Sequence, residues 1–224
     1  MTDDRAPGDE IDPALRTLDG DPLHGAAAVR DYFGDVYPRV LAFTEMLADQ
    51  GVLRGLIGPR ELTRVWERHI LNSAAVVPFL GPGVTADVGS GAGLPGMVIA
   101  AMEPERSVVL IEPMERRVQW LLESARECGI ENVTVLRGRA EEVRESVEAD
   151  VITARAVASI DKLVKWCAPL LSEHGSMALL KGRSAADELE RAKYALRKHH
   201  LAGEVLSAPT LEGLEPTTVV RLSR

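Results

Sequence analysis

From Phe33 onward, apolar residues recur at helical spacing. Phe33, Val36, Val40, Phe43 and Leu47 share a face with Thr44, which predicts an amphipathic helix. Pro38 falls in its first turn or kinks it. After Gly55 and Gly58-Pro59, a second helical face carries Leu62, Val65, Trp66 and His69, and a third short helix over 70–80 ends between Pro78 and Gly83. Residues 31–82 are therefore expected to form a helical N-terminal extension. Residues 1–30 hold Pro7, Gly8, Pro13, Gly20, Pro22 and Gly25 among acids, with little apolar periodicity, which predicts a flexible acidic tail.

Residues 83–224 alternate between strand and helix. Strands are expected at Val84–Val88, Ser107–Glu112, Val133–Arg137, Asp150–Ala154 and Ser176–Lys181. Ser107–Glu112 is a continuous apolar run ending in an acid, the pattern of a parallel strand buried on both faces. Helices are expected over Met97–Ala101, over Val118, Leu121, Leu122 and Ala125 with closure at Gly129, over Ile160–Cys167 and over Ala186–His199. Glu204–Ala208 and Thr217–Leu222 close the chain as a strand pair. Repeated β-α units with right-handed crossovers imply an α/β fold. Its sheet is doubly wound, mostly parallel and seven-stranded, with an antiparallel C-terminal strand.

Composition changes this picture little. The 224 residues are 46% hydrophobic and 27% charged, ordinary globular usage for one main domain. No apolar stretch approaches the ~18 residues of a spanning helix. The start, Met1-Thr2-Asp3-Asp4-Arg5, is acidic where a secretory signal would be basic and then apolar. A cytoplasmic location is expected. Charge is more informative. The formal net charge is −8, yet residues 153–200 carry nine Lys/Arg against five Asp/Glu, while residues 1–35 carry nine acids and three arginines. A local basic face can meet phosphate on an acidic molecule.

The segment Asp87-Val88-Gly89-Ser90-Gly91-Ala92-Gly93-Leu94-Pro95-Gly96 follows the first strand of this region. Glycine serves where a chain turns sharply from strand to helix and where a ligand lies against the backbone. Gly91-x-Gly93-x-x-Gly96 formally matches a dinucleotide fingerprint, whereas Asp-x-Gly-x-Gly-x-Gly matches the first motif of class I S-adenosylmethionine-dependent methyltransferases. Asp87 suits the ammonium of a methionine tail and would repel a pyrophosphate, and Pro95 removes a donor where a phosphate wants one. Glu112, 23 residues after Gly89, fits both readings as the acceptor for ribose hydroxyls. Further on, Ala140 and Glu141 in Arg137-Gly138-Arg139-Ala140-Glu141-Glu142 either meet an adenine ring or begin a helix, where acids are favoured anyway.

Taken in order, Trp66-x-Arg68-His69-Ile70-Leu71-Asn72-Ser73, Asp87 to Gly96, Arg139-Ala140-Glu141, Thr153-Ala154-Arg155-Ala156 and Leu180-Lys181-Gly182 resemble the bacterial 16S ribosomal RNA guanine-N7 methyltransferases, also called glucose-inhibited division protein B. The resemblance spans about residues 36–224 and gives the acidic tail no counterpart. It implies S-adenosylmethionine as cofactor, with Gly89, Leu94, Ala140, Glu141 and Arg155 at donor-binding positions. It also implies 16S rRNA, in the small subunit or an assembly intermediate, as the partner of a monomeric enzyme. Asp87, Gly91, Gly93 and Glu112 complete the expected donor site.

The residues themselves bear on the acceptor. Transfer to cytosine C5 needs a thiolate, and Cys128 and Cys167 read as packing residues. Transfer to an exocyclic amine usually uses an Asn/Asp-Pro-Pro-aromatic loop, which is missing after the fourth strand. Guanine N7 has a free lone pair and requires positioning rather than a base. Arg139, Arg155 and Lys181 are candidates for a cationic rim that positions RNA, although strand-end residues also serve structure. His69 reads as a hydrogen-bonded packing residue, Trp120 and Trp166 as core, and His199-His200 lacks a third metal ligand. A nicotinamide-dependent oxidoreductase and a non-catalytic RNA-binding assembly factor remain the alternatives.

Overall fold

A computed structural model of the chain describes residues 17–224. The helical N-terminal part comprises α1 (Ala27–Phe33) and α2 (Tyr37–Gly51), a 3-10 turn (Pro59–Arg64), a π-helical turn (Trp66–Leu71) and α3 (Asn72–Ala74). Pro38 sits in the first turn of α2, where its missing N–H costs nothing. On the buried face of α2, the Thr44 hydroxyl donates to Val40 O at 2.7 Å.

The remainder runs β1 (Thr85–Val88), α4 (Gly96–Met102), β2 (Val108–Glu112), α5 (Glu115–Glu127), β3 (Val133–Arg137) and β4 (Ala149–Arg155). It continues through α6 (Ile160–Cys167), β5 (Leu171–Lys181), α7 (Ala185–Arg191), α8 (Lys193–Lys198), β6 (Ala202–Ala208) and β7 (Thr217–Ser223). The seven strands are ordered β3-β2-β1-β4-β5-β7-β6. β1 to β5 pair in parallel, and β7 inserts antiparallel between β5 and β6. The chain steps outward from β1 to β3, then returns to lay β4 on the other side of β1. That reversal opens a crevice beyond the carboxyl ends of β1 and β4, where Gly89 and Arg155 emerge.

One apolar cluster packs α2, Trp66, α4 and Trp120 against one face of the sheet. A second packs α6, α7 and α8 against the other. Among the described residues, no helix is long and apolar enough to cross a membrane.

The structure corrects the sequence reading of the fold at residues 17–30, in the helix after β5 and at the start of β5, and the helix expected over 70–80 is α3 followed by a 3-10 turn at Val77–Phe79. Residues 17–30 do not form a flexible tail, and residues 1–16 lie outside the described residues. Leu18 and Val29 are buried, and so is Asp21. One Asp21 oxygen accepts from Trp66 N–H at 2.9 Å and the other from Leu23 N–H at 3.0 Å. The helix expected over Ala186–His199 is two helices that meet at the buried Ala192. β5 begins five residues early, at Leu171, because Gly175 lets it lie against Ala149 O, where a Cβ would sit at 3.0 Å. Its polar start, Leu171-Ser172-Glu173-His174, hides that extension from an apolar pattern.

Candidate active site

β1 delivers its last residue into the glycine loop. Gly89 adopts φ +73°, and a Cβ there would lie 2.7 Å from Val157 Cγ2, so only glycine lets the segment after β4 close over the loop. Gly93, at φ +96°, answers a different demand. A Cβ would meet Met97 Cγ at 2.7 Å and Phe43 Cζ at 3.1 Å, so Gly93 lets α2 and α4 approach and does not line the crevice.

Asp87 is also placed differently from its sequence reading. It is fully buried beneath the loop, where Oδ2 accepts from Gly96 N–H at 3.0 Å while Oδ1 has no partner among the described residues. Burial pushes its carboxyl up to about 7, against the opposing pull of the Gly96 N–H and the Arg155 charge. Asp87 thus ties the loop to the start of α4 instead of facing a ligand.

The crevice beyond the loop encloses about 510 Å³. Glu112, only 2% exposed, forms its base. Oε2 accepts from Gly91 N–H and Oε1 from Met114 N–H, both at 2.9 Å. Each oxygen keeps a lone pair, so a diol can add to the two backbone donors. Gly91, Leu94, Ala140, Glu141 and Arg155 line the same crevice. In the turn after β3, Glu142 caps Arg139 N–H at 2.8 Å. That leaves Glu141 uncommitted and answers the question of which acid serves the turn. Trp166, expected in the core, is half-buried on α6 and lines the crevice. Its neighbours gave no sign of this, because Leu163, one turn earlier, and Cys167 beside it are both buried.

A larger cleft of about 1250 Å³ lies across the segment Arg155-Ala156-Val157, which lines both cavities. Ala156 holds φ +56°, a left-handed conformation uncommon outside glycine. Arg155 is anchored in the helical extension: Nη1 donates to Arg68 O at 3.0 Å, and Nη2 lies 3.2 Å from His69 Nδ1. A guanidinium has no acceptor, so Nδ1 must be unprotonated and the imidazole carries its hydrogen on Nε2, 3.0 Å from Glu61 Oε2. Burial first, then the Arg155 charge, lowers the His69 pKa to about 4. Asn72 Nδ2 donates to Thr217 Oγ1 at 2.9 Å, joining the extension to β7.

The other cations of the cleft already have carboxylate partners. Arg64 forms a two-pronged pair with Glu67, Arg68 lies 3.7 Å from Glu61, and Arg183 lies 3.7 Å from Glu215. Lys181 donates to Ala158 O at 2.6 Å and to Glu188 Oε2 at 2.8 Å, with a side chain only 10% exposed. It braces the ends of β5, α6 and α7. The expected rim of Arg139, Arg155 and Lys181 is therefore not one surface: Arg139 lines the crevice, Lys181 is neutralised, and Arg155 alone borders both cavities. The thiols are inert by environment, since burial pushes Cys128 up to about 11 and Cys167 up to about 12.

The strand order, the glycine loop and the buried acid at the end of β2 define a class I methyltransferase fold. Solved structures with this architecture include a precorrin-6y C5,15-methyltransferase from Geobacter metallireducens, with a TM-score of 0.53, 16% identity, and coverage of 75% of this chain and 92% of that one. A SAM-dependent methyltransferase from Aquifex aeolicus has a TM-score of 0.53 at 17% identity, covering 71% and 92%. The family model described as rRNA small subunit methyltransferase G matches residues 37–214, and the chain belongs to that family. Proteins named ribosomal RNA small subunit methyltransferase G are 49% identical in Leifsonia xyli, over 87% of this chain and 94% of the relative, and 48% identical in Renibacterium salmoninarum, over 88% and 93%.

Proposed function

We propose that the protein acts as a cytoplasmic monomer that transfers a methyl group from S-adenosylmethionine to N7 of a guanine in 16S rRNA of the small subunit. The observation that carries this reading is the wall Arg155-Ala156-Val157, which borders a nucleoside-sized crevice on one side and a cleft roomy enough for a base on the other. The crevice suits the cofactor: Glu112 has lone pairs for ribose hydroxyls, Glu141 for an exocyclic amine, and Trp166 offers an aromatic surface beside them. When bound there, S-adenosylmethionine supplies a methyl group activated by a sulfonium.

The chain's own residues then have to bring acceptor and donor into line, which is where proximity lowers the barrier most. Arg155, held by Arg68 O and His69, supports this reading, since a guanidinium can donate to a base oxygen without taking a proton. Arg155 occupies His69 Nδ1 and the ring hydrogen sits on Nε2, and neither cysteine is a thiolate at neutral pH, so the site suits an acceptor with a ready lone pair and no proton to lose. Labelled donor, purified small subunits and digestion of the product to nucleosides test the reading. Label in 7-methylguanosine is expected. Label in another nucleoside overturns the acceptor atom, and no incorporation on any assembly stage favours a non-catalytic RNA-binding factor.

A further inference from the structure

The cations of the cleft are nearly all paired, whereas those in the last turn of α8 are not. No Asp or Glu occurs between Arg191 and Gly203, and Lys193, paired with Glu190, makes the one ion pair found for the helix cations among the described residues. Arg191, Arg197 and Lys198 are exposed and have no carboxylate partner among the described residues. Tyr194, 74% exposed, is the most open large side chain of the hydrophobic and aromatic set. Arg197 and Lys198 follow it by three and four residues, the spacing that puts side chains beside one another on a helix.

This face lies away from methyl transfer. Lys181 and Thr218 pair at the cleft end of β5 and β7, while Ala202, which follows α8, pairs with Ser223 at the opposite end. There Arg224 joins the group, its guanidinium fixed by Ser172 O at 3.0 Å and Glu173 O at 2.7 Å. The inward residues Ala195 and Leu196 are buried, so Tyr194 stands between the Lys193–Glu190 pair on one side and Arg197 and Lys198 on the other, and not within an apolar patch. A protein partner or a bilayer would want apolar neighbours for the ring. An unpaired base wants only its π-face, with cations for the flanking phosphates.

We propose that the exposed face of α8, centred on Tyr194 with Arg197 and Lys198 and bordered by Arg191 and Arg224, is an auxiliary docking surface for RNA. It grips the backbone at two or more phosphates and stacks one unpaired base on Tyr194. The proposal rests on the RNA-methylating reading above and adds a second contact remote from the cleft. Tyr194 lies six residues beyond Glu188, the α7 residue that lines the cleft, roughly 9 Å at a helical rise of 1.5 Å per residue.

The full chain is tested with protein-free 16S rRNA and with assembled small subunits. Arg197→Ala/Lys198→Ala is expected to reduce the magnitude of the salt slope on protein-free RNA by about 1.4, for two single-strand phosphates. Tyr194→Ala is expected to weaken binding about tenfold, and Tyr194→Phe to restore it. In all three variants kcat and donor affinity should stay at the parent values, since none of these residues lines either cavity. Unchanged affinity and slope in both variants, with the parent binding RNA normally, overturn the proposal alone. A loss confined to assembled subunits overturns it in favour of a ribosomal protein contact. A parent that binds neither RNA overturns the functional reading, and this one with it.

Discussion

Asp87 is the group whose environment makes the sharpest demand. Its carboxyl is fully buried, with one oxygen bonded to Gly96 N–H and the other unpartnered among the described residues, and its pKa rises from 3.8 to about 7. In the unfolded chain the group ionises near its ordinary value. The folded state therefore holds an extra proton between these two pKa values, and the stability this lends is lost as pH rises through the folded pKa. At 1.36 kcal/mol per unit, the two units between pH 5 and 7 amount to about 3 kcal/mol. Asp87→Asn keeps an acceptor for Gly96 N–H and removes the titration. Urea unfolding of both proteins from pH 5 to 8 should show the parent losing about 3 kcal/mol relative to the variant, with the difference flattening above pH 7 to 8. Parallel curves would refute the buried-acid argument. A variant that folds but has lost the donor would instead return Asp87 to the ligand-binding set.

Lys181→Met should destabilise by about 1–3 kcal/mol, because Glu188 loses its charged partner and keeps only Ser184 Oγ and Ile160 N–H, and Lys181→Met/Glu188→Leu should recover most of it. In either background the salt slope of RNA binding should be unchanged, and a drop of about one unit would restore Lys181 as a phosphate contact. Asp21→Ala should cost about 2–4 kcal/mol, because two backbone donors lose a charged acceptor. A melting temperature equal to the parent's would mean that residues 17–30 do not support the fold. Between about pH 6 and 8.5 the single-turnover rate should carry no histidine limb. Any inflection near neutrality should vanish in Asp87→Asn and survive in His69→Gln, and the reverse pattern would make His69 a proton acceptor.

β2 and β4 were legible in the sequence because they are buried on both faces and so read as short apolar runs. Val133–Arg137 and Ile160–Cys167 match to the residue. The glycine loop and Glu112 were legible because their spacing is local to one β-α-β unit. What escaped depends on partners distant in sequence. Asp21 finds Trp66 45 residues away, and nothing near Asp21 distinguishes it from the acids of a solvated tail. Lys181 looks like a strand-end cation until Glu188 folds back from α7. Trp166 reads as core because its apolar neighbours are, and only the path of the turn after β3 makes it a wall of the crevice. The π-helical turn at Trp66–Leu71 has no period of its own in the pattern, yet its Arg68 carbonyl is what anchors Arg155.

The stretch from Arg155 to Val157 belongs to both cavities, and a shared partition cannot respond to one occupant without the other feeling it. Its position is held by the left-handed Ala156 and by Val157 seated over Gly89. An occupant that settles it on the crevice side also settles the geometry offered on the cleft side. Linkage then requires reciprocity: whatever factor the nucleoside adds to the affinity for RNA, RNA must add to the affinity for the nucleoside. Calorimetric titration of donor with and without small subunits would measure that factor, and Ala156→Gly, which releases the partition, should bring it toward one. Cooperativity between two substrates would then be a property of three consecutive residues, with no second conformation of the domain required.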